Sequence, residues 1–460
     1  MNARCKASIF LSNVAFSKDF FIINSIMKIY FIGIGGIGVS ALARHYRSEN
    51  HEVLGSDQSK SSITEDLEKE GIKINYSQIA SNITKDLDLV VYSAAVSDFN
   101  EELTQVKKLN LKILSYAEAL GELTRQYETV AVAGSHGKST TTALLALILI
   151  KAGLDPTIIV GTKLKELGGS NYRHGKSRLL LIEADEWNRS FHAHHPLYTA
   201  ITNVDAEHLD TFHNLAGVIE GFKTYFKNIS PKGRIFINYQ DQNSKKAAKN
   251  FKTLVSYYND KKNFWHLKIK GEYNRVNAEA AWQIARFLGV RKSVAREAMG
   301  EYEGAWRRQE RVTPKNPEQF KNIKAFFSDY AHHPTEIQAT ASALKELYPS
   351  NPLVIIFEPH QVERLNNLFT AFTQSFDAFK KILILPAYKV LGRESIGNLT
   401  SEDLVKALKK KGLDAEYLKN FDESLKLIST TDLKDPVVLF VGAGTIDNAM
   451  REHFDSLLLK

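Results

Sequence analysis

Short apolar runs alternate with longer helical patterns from Lys28 onward, and that alternation restricts the chain to α/β architecture with largely parallel sheets. Strands are expected over Lys28–Ile34, His51–Gly55, Asp88–Ala95, Glu128–Ala133, Leu179–Glu183, Tyr198–Val204 and Arg234–Asn238. Further strands are expected over Ile323–Ser328, Leu353–Phe357, Ile382–Leu385 and Val437–Val441, with helices over Gly38–Ser48 and Lys138–Gly153. A chain of 460 residues exceeds what one core supports. Breaks near Gln126 and Val312 predict three α/β domains: a Rossmann-like N-terminal one over 27–125, a central one over 126–311 and a Rossmann-like C-terminal one over 312–460.

Composition narrows the function classes. The net charge of +8 is spread along the chain, which suits a phosphorylated or carboxylated small substrate and argues against a nucleic-acid partner. The longest apolar run, Ala143–Ile150, is far below the roughly 18 residues a membrane span needs, so no membrane association is expected. A single cysteine, Cys5, excludes a disulfide framework or a cysteine zinc site within one chain. In residues 1–26, Arg4 and Lys6 precede apolar stretches in the manner of a poor signal sequence, but Asn13, Ser17, Lys18 and Asp19 interrupt it. This segment reads as a disordered leader or an early start before Met27, and a cytoplasmic location follows.

Two glycine turns carry the chemistry. Gly33-Ile34-Gly35-Gly36-Ile37-Gly38 matches G-x-G-x-x-G between a strand and a helix, where backbone approaches a pyrophosphate held at the helix N-terminus. Asp57 stands where an acidic residue meets a ribose hydroxyl, a pattern shared by nicotinamide dehydrogenases and other nucleotide binders. Gly134-Ser135-His136-Gly137-Lys138-Ser139-Thr140 is more specific. Its backbone N–H groups can cradle phosphates while Lys138 reaches the β/γ oxygens and Ser139 or Thr140 a Mg2+ ion. Val132 stands where a strict Walker A begins with glycine, so this is a compact version.

Glu183-Ala184-Asp185-Glu186 ends a buried-looking strand and offers Mg2+ ligands, or else a solvated acidic turn. His208 follows another strand, where it could bind a metal, orient a phosphate or simply pack. His192, His194 and His195 read as loop residues, because no carboxylate stands at helical spacing from them.

Together these segments resemble the Mur ligase family. The carriers run from GIGGIGVSALA at 33–43 through AGSHGKSTTT at 133–142, EADE at 183–186 and TNVDAEHLDTF at 202–212. They continue with GEYNRVNAEAA at 271–281, GAWRR at 304–308, SDYAHHPTEI at 328–337, FEPH at 357–360 and GAGTI at 442–446. The resemblance implies an ATP- and Mg2+-dependent ligase that activates the carboxylate of UDP-N-acetylmuramate and joins it to L-alanine, as a monomer or weak homodimer. It implies a UDP-sugar site at Gly35, Gly36, Ile37, Gly38, Asp57 and Ser93. It implies ATP contacts from residues 134–140, Asn274, Asn277 and Arg307, and metal ligation by Ser139, Glu183 and His208. Lys138, His208, Arg308 and Asp329 would be catalytic, and His332, His333, His360 and Arg364 would face the amino acid and acyl group.

The chain departs from the family pattern at several points. Ser139 replaces a threonine, Tyr273 a histidine, Arg275 a small apolar residue and Gln309 an aromatic. Gln361 replaces an arginine that follows the histidine of FEPH, which bears on amino-acid choice. Three rival readings follow: a relative that attaches a recycled peptide to the same sugar, an NAD(P)-dependent dehydrogenase built on Gly33–Gly38 and Asp57, and a catalytically silent nucleotide-binding or scaffold protein, against which Lys138, Glu183, His208 and Asp329 together argue. The dehydrogenase reading leaves the second glycine turn and the third domain without work.

Overall fold

The computed structural model describes residues 26–259, 265–389 and 397–456. The leader expectation and Cys5 lie outside them. Three α/β sheets form, as the alternation predicts.

The first sheet has five parallel strands in the spatial order Lys73–Asn75, Glu52–Ser56, Lys28–Ile32, Leu89–Tyr92, Ile113–Ser115. Strand order reverses between Lys28–Ile32 and Leu89–Tyr92, which opens a crevice at their C-terminal ends. Both strands are shorter than the apolar runs suggest. Gly33 turns the chain at φ 77°, and Val96 closes a turn on Ser93 through a 3.0 Å backbone bond. Ile29, Phe31 and Ile32 are fully buried, as expected of a strand covered by helices on both faces.

The second sheet orders seven strands as Val255–Tyr258, Arg234–Asn238, Tyr198–Ile201, Glu128–Ala133, Leu179–Glu183, Thr157–Leu164, Ser170–Arg173. Its helix Lys138–Lys151 is buried on nearly every side, from Ser139 through Leu149, so its sequence KSTTTALLALILIK shows no polar face.

The third sheet runs Ala415–Tyr417, Lys381–Ile384, Leu353–Phe357, Val437–Val441, Ala325–Asp329, Glu310–Pro314, Phe454–Ser456. The first five strands are parallel, and the last two add an antiparallel edge. That edge has no clear sequence signal: one strand ends in Pro314 and the other is three residues long.

The described residues fall into two compact units. One holds the first two sheets and takes the chain up to Gly161, then from Asn171, together with Ala278–Ala298. The other holds the third sheet and gathers Thr162–Ser170, the stretch ending at Asn277, and the chain from Met299. Among the described residues no helix is long and apolar enough to cross a membrane.

Candidate active site

The strand Glu128–Ala133 delivers the chain into the 134–140 turn, and Gly137, left-handed at φ 80°, caps the helix that follows. A side chain there would be strained, which is why glycine precedes the lysine. Lys138 folds back over the turn, donating to the carbonyl of Gly134 at 2.8 Å and to Oε2 of Glu186 at 2.7 Å. Asp185 lies 3.6 Å from the same ammonium. Burial alone would lower the Lys138 pKa, but Glu186, Asp185 and Glu183 together hold it above the ordinary lysine value.

Ser139 Oγ donates to Glu183 Oε1 at 3.0 Å, and Glu183 Oε2 accepts from the N–H of Gly161 at 2.9 Å. Glu186 is fully buried, and its Oε1 accepts no hydrogen bond among the described residues; His208 Nε2 is 3.7 Å from it. Asp185, Glu186 and His208 offer ligand atoms within 4.8 Å of one another. Burial would raise the Asp185 pKa, yet Lys138 and His208 pull it below the usual carboxylate value. His208 therefore groups with Asp185 and Glu186, while Ser139 pairs with Glu183. His194 is buried and hydrogen-bonded by neither ring nitrogen among the described residues, and burial pushes it down to about 3.

The turn is held from a neighbouring strand end. Asn203 accepts from the N–H of His136 at 2.9 Å and donates to its carbonyl at 3.0 Å, and Thr202 donates to that carbonyl at 2.6 Å. The His136 ring lies 3.2 Å from Asp205. Asp241 in turn accepts from the N–H of Val204 at 2.9 Å.

In the first sheet Gly36 caps the helix Ile37–Ser48, so the N–H groups of its first turn face the crevice end of the sheet. Asp57 Oδ2 accepts from the N–H of Gly35 at 2.8 Å and Oδ1 from that of Gln58 at 2.8 Å. A Cβ on Gly35 would sit 2.8 Å from that carboxylate, so the approach requires glycine. Ser93 bonds back to Ile32 at 2.9 Å beside Gly33. Gly38 packs on the hydroxyl of Tyr116, 2.6 Å from where its Cβ would stand.

The remaining candidates belong to the second unit. Asn274 and Asn277 are buried there, and Asn274 donates to the carbonyl of Lys270 at 2.7 Å. Arg307 donates to the carbonyl of Gly442 at 2.6 Å, and the guanidinium groups of Arg307 and Arg308 lie 4.6 and 5.0 Å from the Tyr330 ring centroid. Asp329 is buried and accepts from the N–H groups of Gln309 and Ala331, both at 2.9 Å. Burial raises its pKa, against the pull of Arg308. His332 and His360 rings stand 5.9 Å apart, Tyr388 stacks on His360 at 5.4 Å, and Arg364 donates to His360 Nδ1 at 3.3 Å. His333 caps the helix Pro334–Leu347 by accepting from the N–H of Thr335 at 3.3 Å. Two departures from the family pattern meet here, since the Gln309 amide donates to the Tyr273 hydroxyl.

Three family models match the chain in order: Mur ligase family, catalytic domain, over 28–128; Mur ligase middle domain, over 132–288; and Mur ligase, glutamate ligase domain, over 307–444. The chain belongs to the Mur ligase family. It is 36% identical over 451 residues to the UDP-N-acetylmuramate–L-alanine ligase of Caldanaerobacter subterraneus subsp. tengcongensis, covering 91% of this chain and 95% of that one. It is 33% identical over 462 residues to the ligase of the same name from Aquifex aeolicus, covering 95% and 99%. The UDP-N-acetylmuramate–alanine ligase structure from Thermotoga maritima superposes with a TM-score of 0.76 at 28% identity, covering 93% and 98%.

Within this Mur ligase, sequence reasoning named Glu186 only as a metal ligand or turn acid and not as the partner of Lys138, and it passed over Asp241 beneath the 202–208 segment and Tyr116 against Gly38. Glu186 had a signal, the third acid of EADE. Tyr116 and Asp241 had none, because their contacts are long in sequence.

Proposed function

We propose that the protein joins L-alanine to the carboxylate of UDP-N-acetylmuramate at the expense of ATP, a step in peptidoglycan precursor synthesis in the cytoplasm. The observation that carries this reading is full-length similarity above 30% identity to ligases of that name, together with a phosphate-type turn whose lysine and serine face three acidic residues.

The chemistry suits such a site. A carboxylate is a poor acyl donor, since oxide is a bad leaving group. Its oxygen attacks the γ-phosphorus of ATP, the bond to ADP breaks, and an acyl phosphate forms. The alanine amine then attacks the carbonyl carbon, phosphate departs with the C–O bonding pair, and the amine loses a proton. Both steps gather negative charge, which Lys138 is assigned to offset. Residues 134–140 are assigned to the triphosphate, with Asn274, Asn277 and Arg307 as further nucleotide contacts. The 33–38 loop, Asp57 and Ser93 are assigned to the UDP-sugar. Arg308, Asp329, His332, His333, His360 and Arg364 are assigned to the acceptor and acyl groups. The domain division 27–125, 126–311 and 312–460 follows the same three tasks.

Two groups offer the hard oxygen donors that suit Mg2+: the hydroxyl of Ser139 with the carboxylate of Glu183, and the carboxylates of Asp185 and Glu186 with His208 beside them. Bound Mg2+ would neutralise charge on the phosphoryl oxygens. Mass spectrometry of the reaction mixture tests the proposal: an amide product heavier than the sugar nucleotide by one alanyl residue is expected, and its absence with folded protein overturns the reading.

A further inference from the structure

Asn171 is fully buried in the edge strand Ser170–Arg173 of the second sheet. Its amide nitrogen donates to the carbonyl of Ile37 at 2.5 Å and to the hydroxyl of Ser40 at 3.0 Å. Its amide oxygen accepts from Arg44 Nη1 at 2.6 Å, and Arg44 is itself held by Glu70 through bonds of 2.8 and 2.9 Å. The adjacent Tyr172 hydroxyl meets Ser48 at 2.6 Å and His45 at 3.3 Å. Ile37, Ser40, Arg44 and Ser48 follow helical spacing, so one face of the helix Ile37–Ser48 is bound along its length by one strand.

That helix begins at the glycine loop of the first sheet, and the strand belongs to the sheet that carries the 134–140 turn. We propose that Asn171 is a positioning residue that fixes the glycine loop relative to the phosphate turn. The proposal rests on the reading that the first loop holds the UDP-sugar and the second the ATP. Phosphoryl transfer needs the sugar's carboxylate in line with the γ-phosphorus at about 3–3.5 Å, and each ligand is held by a different sheet. The register of the two sheets thus sets that distance. An amide bonded on both its nitrogen and its oxygen resists sliding, because any shift strands a buried polar group.

Asn171→Leu keeps the branched heavy-atom shape and removes the bonds. Each loop keeps its own ligand contacts, so UDP-sugar and ATP dissociation constants should stay within about twofold of the parent while kcat falls at least about tenfold. Spin labels at exposed Lys69 and Lys249 in a Cys5→Ser chain give a readout independent of turnover. The distance distribution between them should broaden or shift in Asn171→Leu. An unchanged distribution with unchanged kcat overturns the proposal. Should Asn171→Leu not fold, Ser40→Ala and Arg44→Met each remove one of the bonds to Asn171, and both must broaden the distribution for the proposal to stand. Absence of turnover in the parent chain would count against the ligand reading alone, because the label distances still report on Asn171.

Discussion

Nζ of Lys138 lies 2.7 Å from Oε2 of Glu186, a carboxylate wholly withdrawn from solvent. The lysine of the 134–140 turn is thus paired with a buried acid, and on the proposed reading it would share its charge with a triphosphate. Lys138→Ala removes the cation and should lower kcat by roughly a hundredfold or more. UDP-sugar affinity, measured by calorimetry, should stay within about twofold, because the glycine loop lies on another sheet. Equal loss of sugar binding contradicts that division of labour.

Ser139 and Glu183 are 3.0 Å apart, and only the hydroxyl is needed for that contact. Ser139→Thr should retain turnover within about threefold, whereas Ser139→Ala should lose roughly tenfold or more and demand higher Mg2+ for half-maximal rate. Equal Mg2+ dependence of the three proteins would separate Ser139 from the metal.

Five strands of the sequence reading, among them Glu128–Ala133 and Val437–Val441, match the structure residue for residue. Their apolar runs are bounded by turn residues, and burial on both faces leaves nothing to blur the ends. The strand Lys28–Ile32 stops two residues early because Ile34, apolar and fully buried, sits in a turn rather than the ladder. Phe454–Ser456 was illegible because three residues carry no alternation. At the site, Lys138 and Glu183 were legible from local motifs. The clasp of Asn203 and Thr202 on His136 was not, because its partners stand 67 and 66 residues apart.

Burial pushes His194 down to about 3 and His45 down to about 4. Unfolded imidazoles titrate near pH 6.5, so below that pH the unfolded chain binds protons the folded one refuses, and stability falls as pH drops toward 4 to 3. At pH 5 each group costs about 2 kcal/mol. Urea midpoints should fall from pH 7 to pH 5, and a His45→Phe, His194→Met double variant should show a shallower fall. An identical slope would contradict the assignment.

Gln361 opens the helix Val362–Asn367 at φ 69°, with its N–H bonded to the carbonyl of Tyr388 at 3.0 Å. Where this chain has glutamine, the family pattern has arginine directly after the histidine. If this position faces the amino-acid carboxylate, Gln361→Arg should lower the KM for L-alanine by about tenfold, the value of one charge-assisted hydrogen bond, with kcat little changed. An unchanged KM removes residue 361 from the acceptor site.

The most direct test of the central claim is phosphate release from ATP and Mg2+ with UDP-N-acetylmuramate present, adding L-alanine, glycine, L-serine or a tripeptide in turn. Release that requires both the sugar nucleotide and L-alanine is the predicted result. Release with the tripeptide and not with L-alanine, or none with any acceptor, would contradict it.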